Sequence, residues 1–181
     1  DSRNVALLLM EGLTPNDIKN RVIDENLFQV RSQSSSIRRL PLLLNRLKCL
    51  DRGILPMITG TDSVLATQAL LACAVKHSRL IGDFMLNVIG PRIRIINDKL
   101  TDRDWENYLD SCVDVAPQVQ RFSESTRKKL RQIVFTILVE SKYLESQKTR
   151  RLTPVRVEPE LKSFLIRHDE KYVLKCLEVC E

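Results

Sequence analysis

The sequence predicts an all-α fold, a compact multi-helix globular protein with two helix-turn-helix-like modules. Hydrophobic residues make up 43% of the 181 residues, which is ordinary for a globular chain. The 5 glycines and 7 prolines leave little material for the many tight turns of a sheet protein. Apolar side chains recur at helical spacing through most of the chain. We expect one compact unit of four segments, namely residues 1–53, 54–100, 101–157 and 158–181.

Segment 1–53 has the pattern of a helix-turn-helix module. Gly12 ends a first helix, because glycine adopts the left-handed conformation at a helix end without steric strain. Thr14 caps a second helix, and Pro15 occupies its first position. The polar run 31–36 then offers several caps for a third helix. The residues predicted on the inner face of that helix are Ile37, Leu40, Leu44 and Leu47.

The third helix carries the candidate DNA contacts of this module. In helix-turn-helix proteins the N-terminal residues of the last helix reach base edges in the major groove, where hydroxyls and arginines bind well. Pro41 opposes a helix begun at Ser36, because it cannot donate to the carbonyl of Ile37. The alternative is an ordered loop over residues 34–39, which would contact phosphates rather than read bases. The candidate contacts are Ser35, Ser36, Arg38, Arg39 and Arg46.

Segment 54–100 forms a hydrophobic middle. Thr61 and Asp62 can cap a helix that is apolar nearly all round, which predicts burial on most of its faces. A one-sided apolar stripe follows and is expected to end at Gly90-Pro91. His77 lies in a polar cluster that lacks the other members of a catalytic triad, so we interpret this cluster as structural.

Segment 101–157 repeats the helix-turn-helix-like pattern, and segment 158–181 resumes helix as a tail. Thr101 and Asp104 form a capping box before an amphipathic helix. Ser123 caps the next helix, at whose start cations are disfavoured by the macrodipole, so phosphate contact would explain them. The inner stripe of this helix is predicted to comprise Leu130, Ile133, Val134, Ile137 and Leu138.

The end of segment 101–157 leaves two structures open. Residues 152–157 favour strand but are interrupted by Pro154, so both a two-stranded wing and an irregular basic arm fit. The wing of a winged helix meets the DNA backbone or the minor groove, where arginine is suitable. The candidate contacts of this second module are Ser125, Thr126, Arg127, Lys128, Arg131, Lys148, Arg150 and Arg151.

Positive charge is concentrated in two windows, although the formal net charge is only +6. Residues 31–48 contain five basic residues and no acid, which gives +5. Residues 121–156 contain ten basic residues against three glutamates, which gives +7. One basic window fits a solvated helix face as well as a nucleic-acid surface, but two windows in the same kind of motif favour nucleic-acid binding.

Signals of other protein classes are missing from the sequence. The apolar stretches 5–10 and 64–75 are shorter than the roughly 20 residues of a membrane span. The 5 cysteines are odd in number and scattered, which suits reduced thiols in the cytoplasm. No zinc-ligand set, phosphate-cradling glycine loop or pair of catalytic carboxylates is recognisable. We therefore expect no metal, no cofactor, no small-molecule substrate and no enzymatic activity.

Four motifs, in order along nearly the whole chain, resemble the BrxA family of bacteriophage exclusion (BREX) defence systems. They are residues 66–72 (ATQALLA), 76–84 (KHSRLIGDF), 104–105 (DW) and 123–130 (SESTRKKL). The resemblance implies an all-helical protein, encoded with a methyltransferase and ATPases, that binds double-stranded DNA without known enzymatic activity. It also implies a likeness to RNA-binding antitermination factors. Pro41 stands where the family tends to have ordinary helix formers, so we expect the first module to hold the backbone rather than read bases.

The main hypothesis is therefore a double-stranded DNA-binding accessory protein that contacts phosphates through both modules. Window 121–156 is the stronger candidate for DNA contact, because it has the larger positive charge and its sequence pattern resembles that of a winged helix. RNA binding is the nearest alternative. A further alternative is a protein-interaction adaptor whose basic segments dock on acidic partners, such as the other BREX proteins.

Overall fold

A computed structural model describes residues 1–95 and 99–180 of the chain. The α-helices in these ranges are α1 (Ser2–Met10), α2 (Pro15–Asp24), α3 (Gln33–Leu47), α4 (Leu55–Thr59), α5 (Ser63–His77), α6 (Arg79–Phe84), α7 (Gly90–Arg94), α8 (Asp102–Ser111), α9 (Glu124–Glu140), α10 (Pro159–Arg167) and α11 (Lys171–Leu177). Turns of 3-10 helix lie at Arg52–Ile54 and Pro117–Arg121, and a π-helical turn lies at Met85–Ile89. The described ranges contain isolated β-bridges but no sheet, so the predicted all-α class is confirmed.

The helices pack into two compact units. One unit comprises Asp1–Ser78 with Glu158–Glu170, and therefore contains α1 to α5 and α10. The other comprises Arg79–Val157 with Lys171–Glu181, and contains α6 to α9 and α11. These boundaries differ from those of the four sequence segments, because the C-terminal segment contributes one helix to each unit.

The ends of α1 and α2 follow the local signals in the sequence. Gly12 follows α1 with a φ of +80°, in the left-handed region that glycine tolerates. Thr14 caps α2 by accepting a hydrogen bond from the backbone N–H of Asp17 at 3.3 Å, and the Asp17 carboxylate accepts from the Thr14 N–H in return. This reciprocal capping box satisfies two amides that would otherwise lack partners.

Helix α3 differs from its prediction in two ways. It runs through Pro41 as one helix, so the alternative of an ordered loop over residues 34–39 is wrong. Its buried face consists of Ser36, Leu40, Leu44 and Leu47. Ile37, which was predicted to face inward, is 42% exposed. The reason is the register of the helix, because counting back one turn of four residues from Leu40 leads to Ser36 rather than Ile37.

Helix α5 is the buried helix of the first unit, as its apolar sequence predicts. Its cap is Asp62, whose carboxylate accepts hydrogen bonds from the N–H groups of Val64 and Leu65 at 2.8 and 3.1 Å. Gln68 is the buried polar residue of this helix, and its side-chain oxygen accepts from the backbone N–H of Glu158 at 2.8 Å. This bond anchors the chain at the start of α10 and satisfies an otherwise costly buried amide.

The second unit opens with a helical run that passes the predicted stop at Gly90-Pro91. Helices α6 and α7 are joined by the π-helical turn, and the run continues to Arg94. The expectation of a helix end at Gly90-Pro91 is therefore wrong. A proline cannot donate to the regular i→i−4 ladder, and the wider π-helical turn just before Pro91 is a known way to interrupt that ladder without ending the helix.

An aromatic cluster forms the centre of the second unit. The Phe84 ring lies 5.3 Å from the Trp105 ring and 5.1 Å from the Tyr108 ring, both in edge-to-face geometry. Phe135 of α9 completes the cluster at 6.1 Å from Phe84. Ile133, which was predicted to face inward, is 42% exposed, because the bulky Phe135 turns the opposite side of α9 toward the core.

Residues 143–153, here called the arm loop, follow α9. Leu144 pairs with Leu152 in an isolated antiparallel bridge, and both side chains are buried. A second isolated bridge joins Arg151 to Lys99. In the described ranges these bridges replace the two-stranded wing, so the structure matches the irregular basic arm. Pro154 explains why pairing stops, because it has no N–H to donate to a ladder.

Two further observations concern the described residues only. No helix among them is both long enough and apolar enough to cross a membrane. Their histidine, cysteine and acidic side chains do not gather into a group of three or more that could hold a metal ion.

Candidate nucleic-acid interface

The first basic surface lies on the N-terminal half of α3. The hydroxyl of Ser32 is 2.9 Å from that of Ser34 and 3.2 Å from that of Ser35, so three hydroxyls form a small network at the helix start. Arg38 and Arg39 are exposed one turn further along. Arg38 donates to the carbonyl of Ser34 at 3.3 Å, and this contact holds the guanidinium beside the hydroxyls.

Three of the candidates in this module do not share that exposure, and the first of them, Ser35, is half-buried. Ser36 is only 2% exposed, so its inclusion among the DNA contacts is corrected: it faces the interior of the first unit. Arg46 lies about two turns beyond Arg38 and is partly buried, and burial lowers its pKa. Arg39 is more accessible than Arg46. It pairs with Asp1 at 3.3 Å, but 57% of the arginine side chain remains exposed.

The start of α9 has the same kind of hydroxyl network. Ser123 caps the helix by accepting from the N–H of Thr126 at 3.2 Å. Its hydroxyl also lies 2.9 Å from those of Ser125 and Thr126. Lys128 follows and pairs with Glu124 at 2.6 Å, but both side chains are mostly exposed, and such surface pairs contribute little.

Arg127 is held by carboxylates of α8. Its guanidinium lies 2.8 Å from Asp110 and 3.2 Å from Glu106, and its side chain is only 18% exposed. The hydrogen bonds that Arg127 donates to Asp110 and Glu106 raise the pKa of Arg127 above its ordinary value. Trp105 adds a hydrogen bond to the Arg127 carbonyl at 3.1 Å. Arg127 therefore joins α9 to α8, and this contact explains a cation that the sequence assigned to phosphate.

Arg131 and Arg150 share a third carboxylate, that of Asp102. The Asp102 Oδ2 atom lies 3.0 Å from Nη1 of Arg131, and Oδ1 accepts a short hydrogen bond from Nη1 of Arg150. The Arg150 guanidinium also lies 5.6 Å from the centre of the Phe135 ring. The two arginines line an open groove of about 580 Å³, here called the α9 groove. The other residues that line it are Ser125, Lys128, Lys129, Gln132, Phe135 and Gln147.

The remaining candidates lie on the arm loop. Lys148 and Arg151 are exposed, and the backbone carbonyl of Arg151 accepts from the N–H of Glu145 at 2.9 Å. Arg150 has a φ of +54°, so the chain turns sharply just before Arg151. The exposed cations among the candidates are thus Arg38, Arg39, Lys128, Lys148 and Arg151.

Sequence reasoning missed two features of this surface. The residues Lys129, Gln132 and Gln147 line the α9 groove but were not among the candidates. The acids of α8 were missed because they lie outside the basic window. Asp102, Glu106 and Asp110 recur every four residues and so share one helix face, and this spacing is a signal that could have indicated an acidic stripe facing a basic one.

The chain is similar to proteins of one named family. A family model described as BrxA matches residues 1–169. A protein of Paramagnetospirillum magneticum named BREX protein BrxA is 35% identical over 179 residues, which cover 99% of this chain and 90% of that protein. The BREX protein BrxA of Escherichia coli O9:H4 is 24% identical over 98% of this chain and 84% of that protein. The crystal structure of an uncharacterized protein from Magnetospirillum magneticum has a TM-score of 0.87 at 35% identity, over 98% of this chain and 91% of that chain.

Proposed function

The chain belongs to the BrxA family of BREX phage-defence proteins, and we propose that it is a non-enzymatic accessory factor that binds double-stranded DNA in the cytoplasm. The observation that carries the proposal is the pair of surfaces on α3 and α9. Each combines exposed cations with a network of hydroxyls in the N-terminal half of a long helix. Cations, hydroxyls and helix N-termini are the groups that contact DNA phosphates.

The placement of cations at the start of α9 has a stability cost that phosphate binding would offset. Basic residues near a helix N-terminus oppose the macrodipole, typically by about 0.3–1 kcal/mol each. At the start of α9 the structure provides acidic partners for Arg127, whereas the partner of Lys128 is a mostly exposed glutamate. The groups on both surfaces suit binding, so the proposal assigns no reaction to the protein.

The direct test is duplex binding by the purified protein at two salt concentrations. Fluorescence anisotropy with a labelled duplex of about 20 base pairs should show an affinity that falls on the order of 10³-fold between about 50 and 200 mM salt, if five to six phosphates are neutralised. Competition with an RNA duplex and an RNA hairpin of equal charge would decide the ligand. Stronger competition by either RNA would replace DNA with RNA in the proposal, and no binding at low salt would end it.

A second candidate function, the adaptor, is supported by another groove in the second unit. Leu86, Leu174 and Val179 line its apolar part, and Arg94, Lys171 and Lys175 line its polar part together with one acid, Glu178, so basic residues outnumber acids three to one. An acidic amphipathic helix of another BREX protein would complement both parts. The methyltransferase and the ATPases that the family resemblance implies are the candidate partners.

Association of purified BREX proteins after nuclease treatment would test the adaptor. Charge reversal of Lys175 to Glu should abolish a nuclease-resistant association that depends on this groove. The matched control is Lys142→Glu, an exposed lysine outside the groove. Equal loss with both variants, or association only when DNA is present, would exclude the groove as the docking site.

A further inference from the structure

The carboxylate of Asp102 is bound in an unusual position for a surface acid. Each of its two oxygens contacts a different arginine, Arg131 from α9 and Arg150 from the arm loop. The arginine side chains are only 19% and 28% exposed, whereas Asp102 itself is 53% exposed. The acid is thus more exposed to solvent than either of the two arginine side chains with which it pairs.

This arrangement is the one that a phosphate group would adopt. Phosphate oxygens accept hydrogen bonds from pairs of guanidiniums in the same way as a carboxylate does, with one oxygen for each donor. Arg131 and Arg150 also line the α9 groove, beside the side chains of Lys128, Lys129 and Gln132. Asp102 itself does not line the groove, so a backbone phosphate of DNA bound there would approach the two guanidiniums beside Asp102 and compete with its carboxylate for them.

We propose that Asp102 is an internal phosphate mimic, which occupies a phosphate subsite in the free protein and is displaced when DNA binds. This inference rests on the proposed function, because it describes how the α9 groove is regulated. Asp102 can leave at low cost, since a half-exposed carboxylate is readily rehydrated and remains in the first turn of α8, where the helix N-terminus stabilises negative charge. The role of Asp102 is to lower the affinity of the α9 groove for free phosphate and for ligands that present only a few phosphates.

The competing explanation predicts the opposite change in DNA affinity when Asp102 is replaced. If Asp102 only held the two guanidiniums in place for DNA, its loss would disorder them and weaken binding. One substitution of Asp102 therefore distinguishes the two explanations. Competition with phosphate predicts tighter DNA binding, and positioning of the arginines predicts weaker DNA binding. Asp102→Asn is suitable because it removes the charge but keeps the size of the side chain and one accepting oxygen.

The test compares Asp102→Asn with the wild type and with Asp110→Asn. The second variant makes the same change of charge, but Asp110 pairs with Arg127, which does not line the α9 groove. We expect Asp102→Asn to bind the duplex about fivefold more tightly with a steeper salt dependence, as one or two more phosphates are neutralised. Asp110→Asn should bind within about twofold of the wild type. Fluorescence of Trp105, the single tryptophan, would show that α8 and α9 stay packed.

A second readout works without DNA. Pyrophosphate should raise the Tm of Asp102→Asn by several degrees more than that of the wild type or of Asp110→Asn, because the subsite is then vacant. Weaker duplex binding by Asp102→Asn, an equal gain in both variants, or no extra pyrophosphate response would each overturn the inference. Absence of duplex binding by all three proteins would reject the proposed function, and the pyrophosphate response would then decide on the subsite by itself.

Discussion

The two basic surfaces have the same ingredients but different ion pairing. On α3 the basic window has no acid of its own, and Arg38 and Arg39 remain exposed. On α9 the arginines Arg127 and Arg131 are less than 20% exposed and are paired with acids of α8. The window with the larger formal charge thus presents fewer accessible arginines than its charge suggests.

A charge count along the sequence does not show which cations are already paired with acids from another part of the chain. The window 121–156 contains ten basic residues, but the acids that pair with three of them lie at Asp102, Glu106 and Asp110, outside the window. The pairs run in opposite directions along α8 and α9, so the two helices meet through complementary stripes. Arg127 therefore stabilises the fold, while the lysines, the arm loop and, in the proposal above, Arg131 after displacement of Asp102 remain for a ligand.

The largest expected effect tests whether both surfaces bind DNA. The double charge reversals Arg38→Glu with Arg39→Glu, and Lys128→Glu with Lys129→Glu, should each weaken duplex binding on the order of 100-fold at low salt, because each replaces two attractive charges by two repulsive ones. The slope of log affinity against log salt should fall by about 2 in each. Anisotropy titrations measure both quantities.

The result would also rank the surfaces. If only the α3 variant loses affinity, the α9 charge serves the fold and the second module is not a DNA contact. If only the α9 variant loses affinity, window 121–156 is the main DNA contact, as its charge and pattern predict. The matched control is Arg21→Glu, an exposed arginine on α2 that pairs with Glu11 and Glu25 and should lower affinity only about two- to threefold.

The next largest effect concerns Pro41. This proline lies inside α3, and α9 has no proline. Pro41 is exposed and interior to the helix, so Pro41→Ala should raise the free energy of unfolding by about 1–3 kcal/mol, by restoring an N–H donor and removing a ring clash. Urea unfolding measures this change. The matched control in α9 is Thr136→Ala, an exposed interior position, with an expected change of a few tenths of a kcal/mol. A less stable Pro41→Ala would mean that the first unit packs around the irregularity.

The smallest effect contrasts Arg127 with Arg38. Arg127→Ala should lower the free energy of unfolding by about 1 kcal/mol, because it removes a partly buried guanidinium from two carboxylates. Arg38→Ala should stay within about 0.5 kcal/mol of the wild type, since Arg38 is exposed. Thermal unfolding of the two variants side by side would check this. Equal changes would contradict the conclusion that Arg127 serves the fold and Arg38 does not.

Helix boundaries were predictable where the signal is local. Thr14, Asp62, Thr101 and Ser123 cap the helices that the sequence assigns to them. The errors arose at prolines and on faces. A helix end was predicted at Gly90-Pro91, and a loop over residues 34–39 was the alternative left open by Pro41. Both helices continue past the proline, because tertiary packing outweighs the loss of one hydrogen bond. Ile37 and Ile133 were placed inside because hydrophobicity alone does not distinguish neighbouring positions near the edge of an apolar stripe.

The all-α class, the helix caps and the family could be predicted from the sequence, since each depends on residues that are close together or on motifs in order along the chain. The accessibility of the cations on the two basic surfaces, in contrast, depends on how the helices pack. Arg127 and Arg131 find their acids on α8, and Arg150 reaches Asp102 from 48 residues away. An ion pair depends on distances between side chains on different elements, so a basic helix start indicates a binding surface only once its packed neighbours are known.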